Sequence, residues 1–144
     1  MTDDLNFAML PELLGYNIRL AQVAVFRDFV NTLGSYEISP TQFGTLVIIQ
    51  SNPGIKQSDL AKAMQLDRSS IVPLIDRLEK NGLVMRERLQ DDRRTNALNI
   101  TQEGNKLLKV LQPLVLKHEH RLVKNLTKTE QNQLITLLRK IFSG

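Results

Sequence analysis

Four arginines, Arg86, Arg88, Arg93 and Arg94, crowd onto one short stretch, with the pair Asp91-Asp92 among them. A guanidinium is always charged, and its rigid fork of donors matches phosphate oxygens and base edges. A neighbouring carboxylate holds such an arginine in one rotamer and so reduces the entropy lost on binding. Upstream, Arg68-Ser69-Ser70 sets two small hydroxyls beside another arginine, and Arg77 follows. Hydroxyls of that size reach phosphates and base edges without filling a groove. The chemistry these residues share is recognition of a polyanion.

The elements that must position them are legible around them. Ser58 to Met64 carries Leu60, Ala61 and Met64 at helical spacing, in a helix too short to stand alone. Lys56, at its cap position, has no side-chain acceptor. A second helix starts at Asp67, a good N-cap, and ends at Gly82, free to adopt the left-handed conformation that closes a helix. Ile71, Leu74, Ile75 and Leu78 form its apolar stripe, which leaves Arg68, Ser69, Ser70, Val72, Asp76 and Arg77 outward. Pro73 removes one intrahelical bond, and a slight bend is expected there. Val84 to Leu89 and Thr95 to Ile100 read as two strands joined by the polar turn Gln90 to Arg94. Helix, turn, helix and basic hairpin, in that order, predict a helix-turn-helix followed by a wing. Each piece also has a plainer reading, as an amphipathic helix with a solvated face or a hairpin guarded by charge against edge pairing. Together they favour DNA, with an arginine at the wing tip suited to the negative potential of a minor groove.

The run LAKAMQLDRSSIVPLIDRLEKNGLVMRERLQDDRRTNALNIT resembles the core of the MarR family of winged helix-turn-helix transcription regulators. The resemblance extends over essentially the whole chain. It implies that the helix over 67–81 enters the major groove, and that Arg94 reaches the minor groove with Asp92 supporting it. Arg68, Ser69, Ser70, Arg77, Arg86 and Arg93 complete the expected DNA-binding set. The lysine at position 56 and the proline at position 73 depart from the commonest family pattern.

The remaining chain reads as helices. Leu5 to Leu33 is expected to form one long helix with Leu14, Ile18, Ala21, Val25 and Phe29 on a near-heptad seam, its first turns disturbed by Pro11 and Gly15. Ser39-Pro40-Thr41-Gln42 combines an N-cap, a proline at N1 and a capping-box glutamine, and opens a mostly apolar helix that ends at Asn52-Pro53-Gly54. Thr101 caps a helix to about Asn125 that Pro113 should kink, and the box Thr127 to Glu130 opens a final one with Leu134, Leu137, Leu138 and Ile141 on one face. The end helices carry more apolar surface than a compact winged domain covers, which predicts a subunit interface. Family relatives interlock two subunits in this way. The expected fold is therefore mainly α, one domain over 1–144. Residues 5–33 and 102–144 supply the dimerisation helices, and 39–101 the winged DNA-binding part. A two-fold homodimer presents two recognition helices to double-stranded DNA, so its operator should be a pseudo-palindrome.

The resemblance also implies a small-molecule effector, an aromatic acid or its coenzyme A thioester. Tyr16, Arg19, Phe26, Phe43 and His118 are the candidate lining residues, each of which also fits simple packing or a surface ion pair. An enzyme is not expected. His118 and His120 diverge on a helix, and no phosphate loop, nucleophile elbow, catalytic set, metal site or cofactor motif is present. The chain has no cysteine, which excludes disulfides and thiol-based sensing. A net charge of +4 suits a nucleic acid without requiring one, and the lack of a long apolar run or signal segment predicts a cytoplasmic protein without membrane contact. The rival reading is a winged-helix protein–protein module without DNA binding. The basic wing beside a hydroxyl-rich helix start argues against it.

Overall fold

The computed structural model describes residues 4–88 and 96–143. By its internal packing the chain forms two compact units, Leu33–Val115 and the pair of end segments Met1–Thr32 with Leu116–Gly144. The boundaries fall inside two long helices, α1 (Leu14–Leu33) and α5 (Gln102–Leu122), which therefore belong in part to each unit.

In the winged unit, α2 (Pro40–Ser51) begins with the expected box: Ser39 Oγ accepts from the Gln42 N–H, and Gln42 Oε1 accepts from the Ser39 N–H. A two-residue strand, β1 (Ile55–Lys56), leads into α3 (Gln57–Met64). The turn through Gln65, held in a left-handed conformation, leads to α4 (Arg68–Lys80). The wing strands are β2 (Val84–Arg88) and β3 (Asn96–Ile100), paired antiparallel with Arg86 opposite Leu98. The sheet order is β1-β3-β2, all antiparallel. The sequence carried strand signals only in the wing. β1 was missed because two residues offer no periodicity; it pairs because the Gly54 N–H donates to Leu98 O, with Gly54 at φ +79°. The expected ends of β2 and β3, Leu89 and Thr95, lie outside the described residues.

One apolar core holds these elements together. Leu46 and Ile49 of α2, Leu60 of α3, Ile75 and Leu78 of α4, Leu98 of β3 and Leu108 and Leu111 of α5 are fully buried. Burial of that kind contributes on the order of 2 kcal/mol for each large aliphatic side chain. It explains why α4 continues as a helix through Pro73 and α5 through Pro113. The bond Pro73 removes is the one to Ser69 O, on an exposed face where water can replace it.

Helix α4 closes as its glycine predicted. Gly82 takes φ +75°, its N–H donates to Glu79 O, and the Leu83 N–H donates to Leu78 O, a Schellman arrangement. The chain then re-enters the core through Leu83 and Val84. Thr101 joins the wing to α5. It donates its hydroxyl to Gly82 O, caps the helix by accepting from the Gly104 N–H, and donates its own N–H to Leu83 O. Gly104 has no room for a side chain, since a Cβ would lie 2.3 Å from Leu83 O.

The end unit contains the start of α1, the end of α5 and α6 (Lys128–Phe142), whose predicted capping box Thr127–Glu130 is present. The helix expected over Leu5 to Leu33 begins only at Leu14, its first turns separate at Pro11 as that residue suggested. A 3-10 turn occupies Leu10–Glu12, and Leu13 is extended. Pro11 would sit inside such a helix without an N–H, and the apolar side chains around it, Leu5, Met9 and Leu10, are exposed, so no packing offsets the loss. Instead, Asn17 Nδ2 donates to the carbonyls of Pro11 and Leu13 and fixes the entry into α1.

Candidate nucleic-acid interface

The start of α4 is organised by Asp67. Its carboxylate Oδ1 accepts from the Ser70 N–H at 2.9 Å and from the Ser69 hydroxyl at 2.8 Å. The Ser69 hydroxyl, then the Ser70 hydroxyl and the Ser70 N–H, hold the Asp67 carboxyl below its usual range. The predicted contact residues Arg68, Ser69, Ser70 and Arg77 are all exposed on this helix. The Ser69 and Ser70 hydroxyls each have only one proton to donate, and both are drawn to Asp67, so either must leave that carboxylate before it donates to a phosphate.

Arg86 stands apart from the other candidates. It lies on β2 with its side chain 20% exposed, and its Nη2 pairs with Asp76 Oδ1 of α4. Its Nε faces Glu79 Oε2 of the same helix at 3.8 Å and is buried without a hydrogen bond among the described residues. The sequence placed Asp76 on the outward face and gave no signal for Glu79. The tie joins residues of different elements, so no local spacing announces it. Arg93, Arg94 and their support Asp92 lie outside the described residues.

Between α3, α4 and the wing runs a cleft of about 510 Å³, lined by Gln57, Ser58, Arg68, Val72, Arg86 and Asn96 among others. Gln57, Ser58 and Asn96 were not among the sequence candidates. All three are polar, and the only feature that could have singled them out is their position at the first residues of a helix or strand. The exposed Arg68, the largely buried Arg86, the Ser58 hydroxyl and the amides of Gln57 and Asn96 thus line one cleft of the winged unit. That set suits phosphate and base-edge contacts, and it has no group arranged for bond-breaking chemistry. Among the described residues no cluster of metal-binding side chains occurs, and no helix is long and apolar enough to cross a membrane.

The candidate effector residues divide between the units. Phe43 is half-buried on α2 of the winged unit. Tyr16, Arg19 and Phe26 share one side of α1 by helical spacing, together with the exposed Val23 and Val30. Val23, Phe26, Arg27 and Val30 line a shallow groove of about 480 Å³ on that side. His118 is engaged elsewhere in the end unit. It is 2% exposed, with Nδ1 2.7 Å from Asp28 Oδ2 and its ring edge-on to Phe29 at 5.3 Å. Arg121 Nε donates to Asp28 Oδ1 at 3.1 Å. Those two neighbours, Arg121 first and His118 next, hold the Asp28 carboxyl below its usual range.

Comparison with known proteins fits this architecture. The model of the MarR family matches residues 38–95. A protein of Thauera aromatica, described as the proposed transcriptional regulatory protein for the hcr operon, is 37% identical over 130 residues, covering 90% of this chain and 78% of that protein. The transcriptional repressor CouR bound to a 23-mer DNA duplex superposes with a TM-score of 0.89 at 34% identity, covering 96% of this chain and 99% of that one. CouR bound to p-coumaroyl-CoA superposes with a TM-score of 0.88 at 32% identity, covering 96% and 97%. The chain therefore belongs to the MarR family of winged helix-turn-helix transcription regulators and is not an enzyme.

Proposed function

We propose that this regulator is a ligand-responsive homodimeric repressor that binds a pseudo-palindromic operator and is released by a small aromatic acid or its coenzyme A thioester. The observation that carries this reading is the pair of CouR structures, one on DNA and one on p-coumaroyl-CoA, which match nearly the whole chain. Arg68, Ser69, Ser70 and Arg77 would contact DNA from α4, and Arg93 and Arg94 from the wing with Asp92 holding Arg94. The dimer would form through the end helices, whose exposed Leu134, Leu137, Ile141 and Phe142 need cover. The effector would engage the aromatic and cationic side of α1, at Tyr16, Arg19 and Phe26. Release is then a coupling free energy, which requires the ligand to favour a dimer geometry that DNA does not.

The test is fluorescence anisotropy on DNA from upstream of the protein's own gene, against a scrambled duplex at about physiological salt. Binding to the upstream duplex alone, with two subunits per site, is expected, as is its reversal by p-coumaroyl-CoA or a related aromatic thioester. Equal, weak binding to both duplexes would overturn the operator reading. Retention of the complex under both aromatic thioesters and free aromatic acids would overturn the effector reading.

A further inference from the structure

We propose that Arg86 is a positioning residue that straps the wing to the recognition helix α4, and that it does not itself contact DNA. The inference rests on the reading that this face binds DNA. Its starting point is an asymmetry of exposure: the Arg86 side chain is 20% exposed, whereas its partners Asp76 and Glu79 are 58% and 45% exposed. The cation is held inside and the carboxylates stay in water. Two of the three guanidinium nitrogens already face carboxylates. Little of the group is left for a phosphate.

The position of Arg86 explains what the strap does. The wing is anchored at its base by Leu83 and Val84, both in the core. Two residues further along β2, Arg86 makes a second attachment to α4, opposite the fully buried Leu98 of β3. One anchor leaves a hairpin free to swing about its base, whereas two fix its direction relative to the recognition helix. Wing-tip contacts and α4 contacts must reach neighbouring grooves of one duplex, so a fixed direction reduces the entropy lost on binding. Asp76 and Glu79 are three residues apart on α4 and approach the same guanidinium, so each holds it against the motion the other permits.

The strap makes a prediction opposite in sign to simple charge. Asp76 is exposed on the polar side of α4, so removing its negative charge, or that of Glu79, should by electrostatics alone strengthen binding to a polyanion. If the carboxylates hold Arg86, removing them weakens binding. The experiment uses the full chain carrying Asp76→Asn with Glu79→Gln, made in the natural background and again with Arg86→Met. The upstream duplex serves as anisotropy probe, and hydrogen exchange is followed in the free protein.

In the natural background the paired amides should lower DNA affinity about threefold to tenfold, the scale of two partly exposed ion pairs. They should also speed exchange in β2 and β3 and lower the melting temperature by no more than a few degrees. With Arg86→Met present, the same two substitutions should have no effect or tighten binding. Tighter binding in both backgrounds, with hairpin exchange unaltered, would overturn the strap. A natural chain with no preference for the upstream duplex would instead refute the operator reading. The exchange measurement, made without DNA, would still decide the strap.

Discussion

Residues Leu33–Val115 enclose every fully buried large apolar side chain among the described residues, from Leu33 and Leu46 to Leu108 and Leu111. Among the described residues of the end segments only Phe29 and His118 are buried, while Leu14, Phe26, Leu137, Ile141 and Phe142 are each more than half exposed. The winged unit closes a core of its own and presents polar groups outward. The end unit presents apolar residues on both sides of α1, with Leu14 and Ile18 on one and Val23, Phe26 and Val30 on the other. Large exposed apolar side chains on opposite sides of a helix mark surfaces suited to contact with a partner. One unit thus closes its core within a single chain, while the other leaves large apolar side chains exposed.

The largest expected effect tests that incompleteness directly. Leu137 is 57% exposed in the single chain, so Leu137→Glu should cost that chain little. If α6 is covered by a second copy, the same change places a carboxylate in an apolar interface. Sedimentation should then show the mass fall from twice 16.4 kDa to 16.4 kDa. Operator affinity should fall by about 100-fold or more, because two linked recognition helices become one. An unchanged mass would move the interface away from α6.

Glycine substitutions separate the units by the opposite logic. A Cβ at Gly104 would meet Leu83 O at 2.3 Å and Ile100 Cγ1 at 2.6 Å, whereas one at Gly15 of α1 meets nothing within 4 Å. Gly104→Ala should therefore destabilise the winged unit by roughly 1–3 kcal/mol in urea unfolding, the scale of overpacking a closed core. Gly15→Ala should leave the stability of the single chain almost unchanged. Equal effects would mean that the end of the wing tolerates a shift that its tight packing argues against. At the wing tip the proposed change is smaller. Arg94→Ala should weaken operator binding and flatten its salt dependence by about 0.9 for each phosphate left without its cation. An unaltered slope would remove Arg94 from the residues that neutralise phosphates.

The contrast also explains what the sequence made legible. In the winged unit, apolar stripe, caps and burial agree: Asp67 caps α4, Gly82 ends it, and Ile71, Ile75 and Leu78 are inside. Three prolines sit in stretches that read as helical, and only burial separates their outcomes. Pro73 and Pro113 are accepted because their helices are pinned by fully buried side chains, Ile75 and Leu78 in one case and Leu108 and Leu111 in the other. Pro11 ends the pattern because nothing around it is buried. Periodicity alone is identical in kind in all three. Residue type and periodicity placed Arg68, Ser69, Ser70 and Arg77 on the exposed face of α4, but the partners of the candidate side chains were not legible. Arg86 is tied to Asp76 and Glu79, Ser69 to Asp67, and His118 to Asp28. Each tie except that of Ser69 joins different elements, so local spacing cannot display it.

The smallest expected effect compares the units in acid. Among the described residues each has one carboxylate held below the ordinary value of 3.8: Asp28 by Arg121 and His118 in the end unit, and Asp67 by Ser69 and Ser70 in the winged unit. A depressed folded-state pKa means that the unfolded chain binds more protons in the window between the two values. The stabilisation is therefore fully present above about pH 4, and it is lost as pH falls through the folded value. Asp28→Asn and Asp67→Asn should each lower stability at neutral pH and make its decline below about pH 4 shallower. Hydrogen exchange locates each loss. Asp28→Asn should speed exchange around Asp28 on α1 and His118 on α5, and Asp67→Asn at the start of α4. Loss confined to the substituted unit would confirm that the winged core stands without the end helices. Loss spreading from Asp28→Asn into α4 would show that the winged core depends on them, and the comparison between a complete and an incomplete unit would fail.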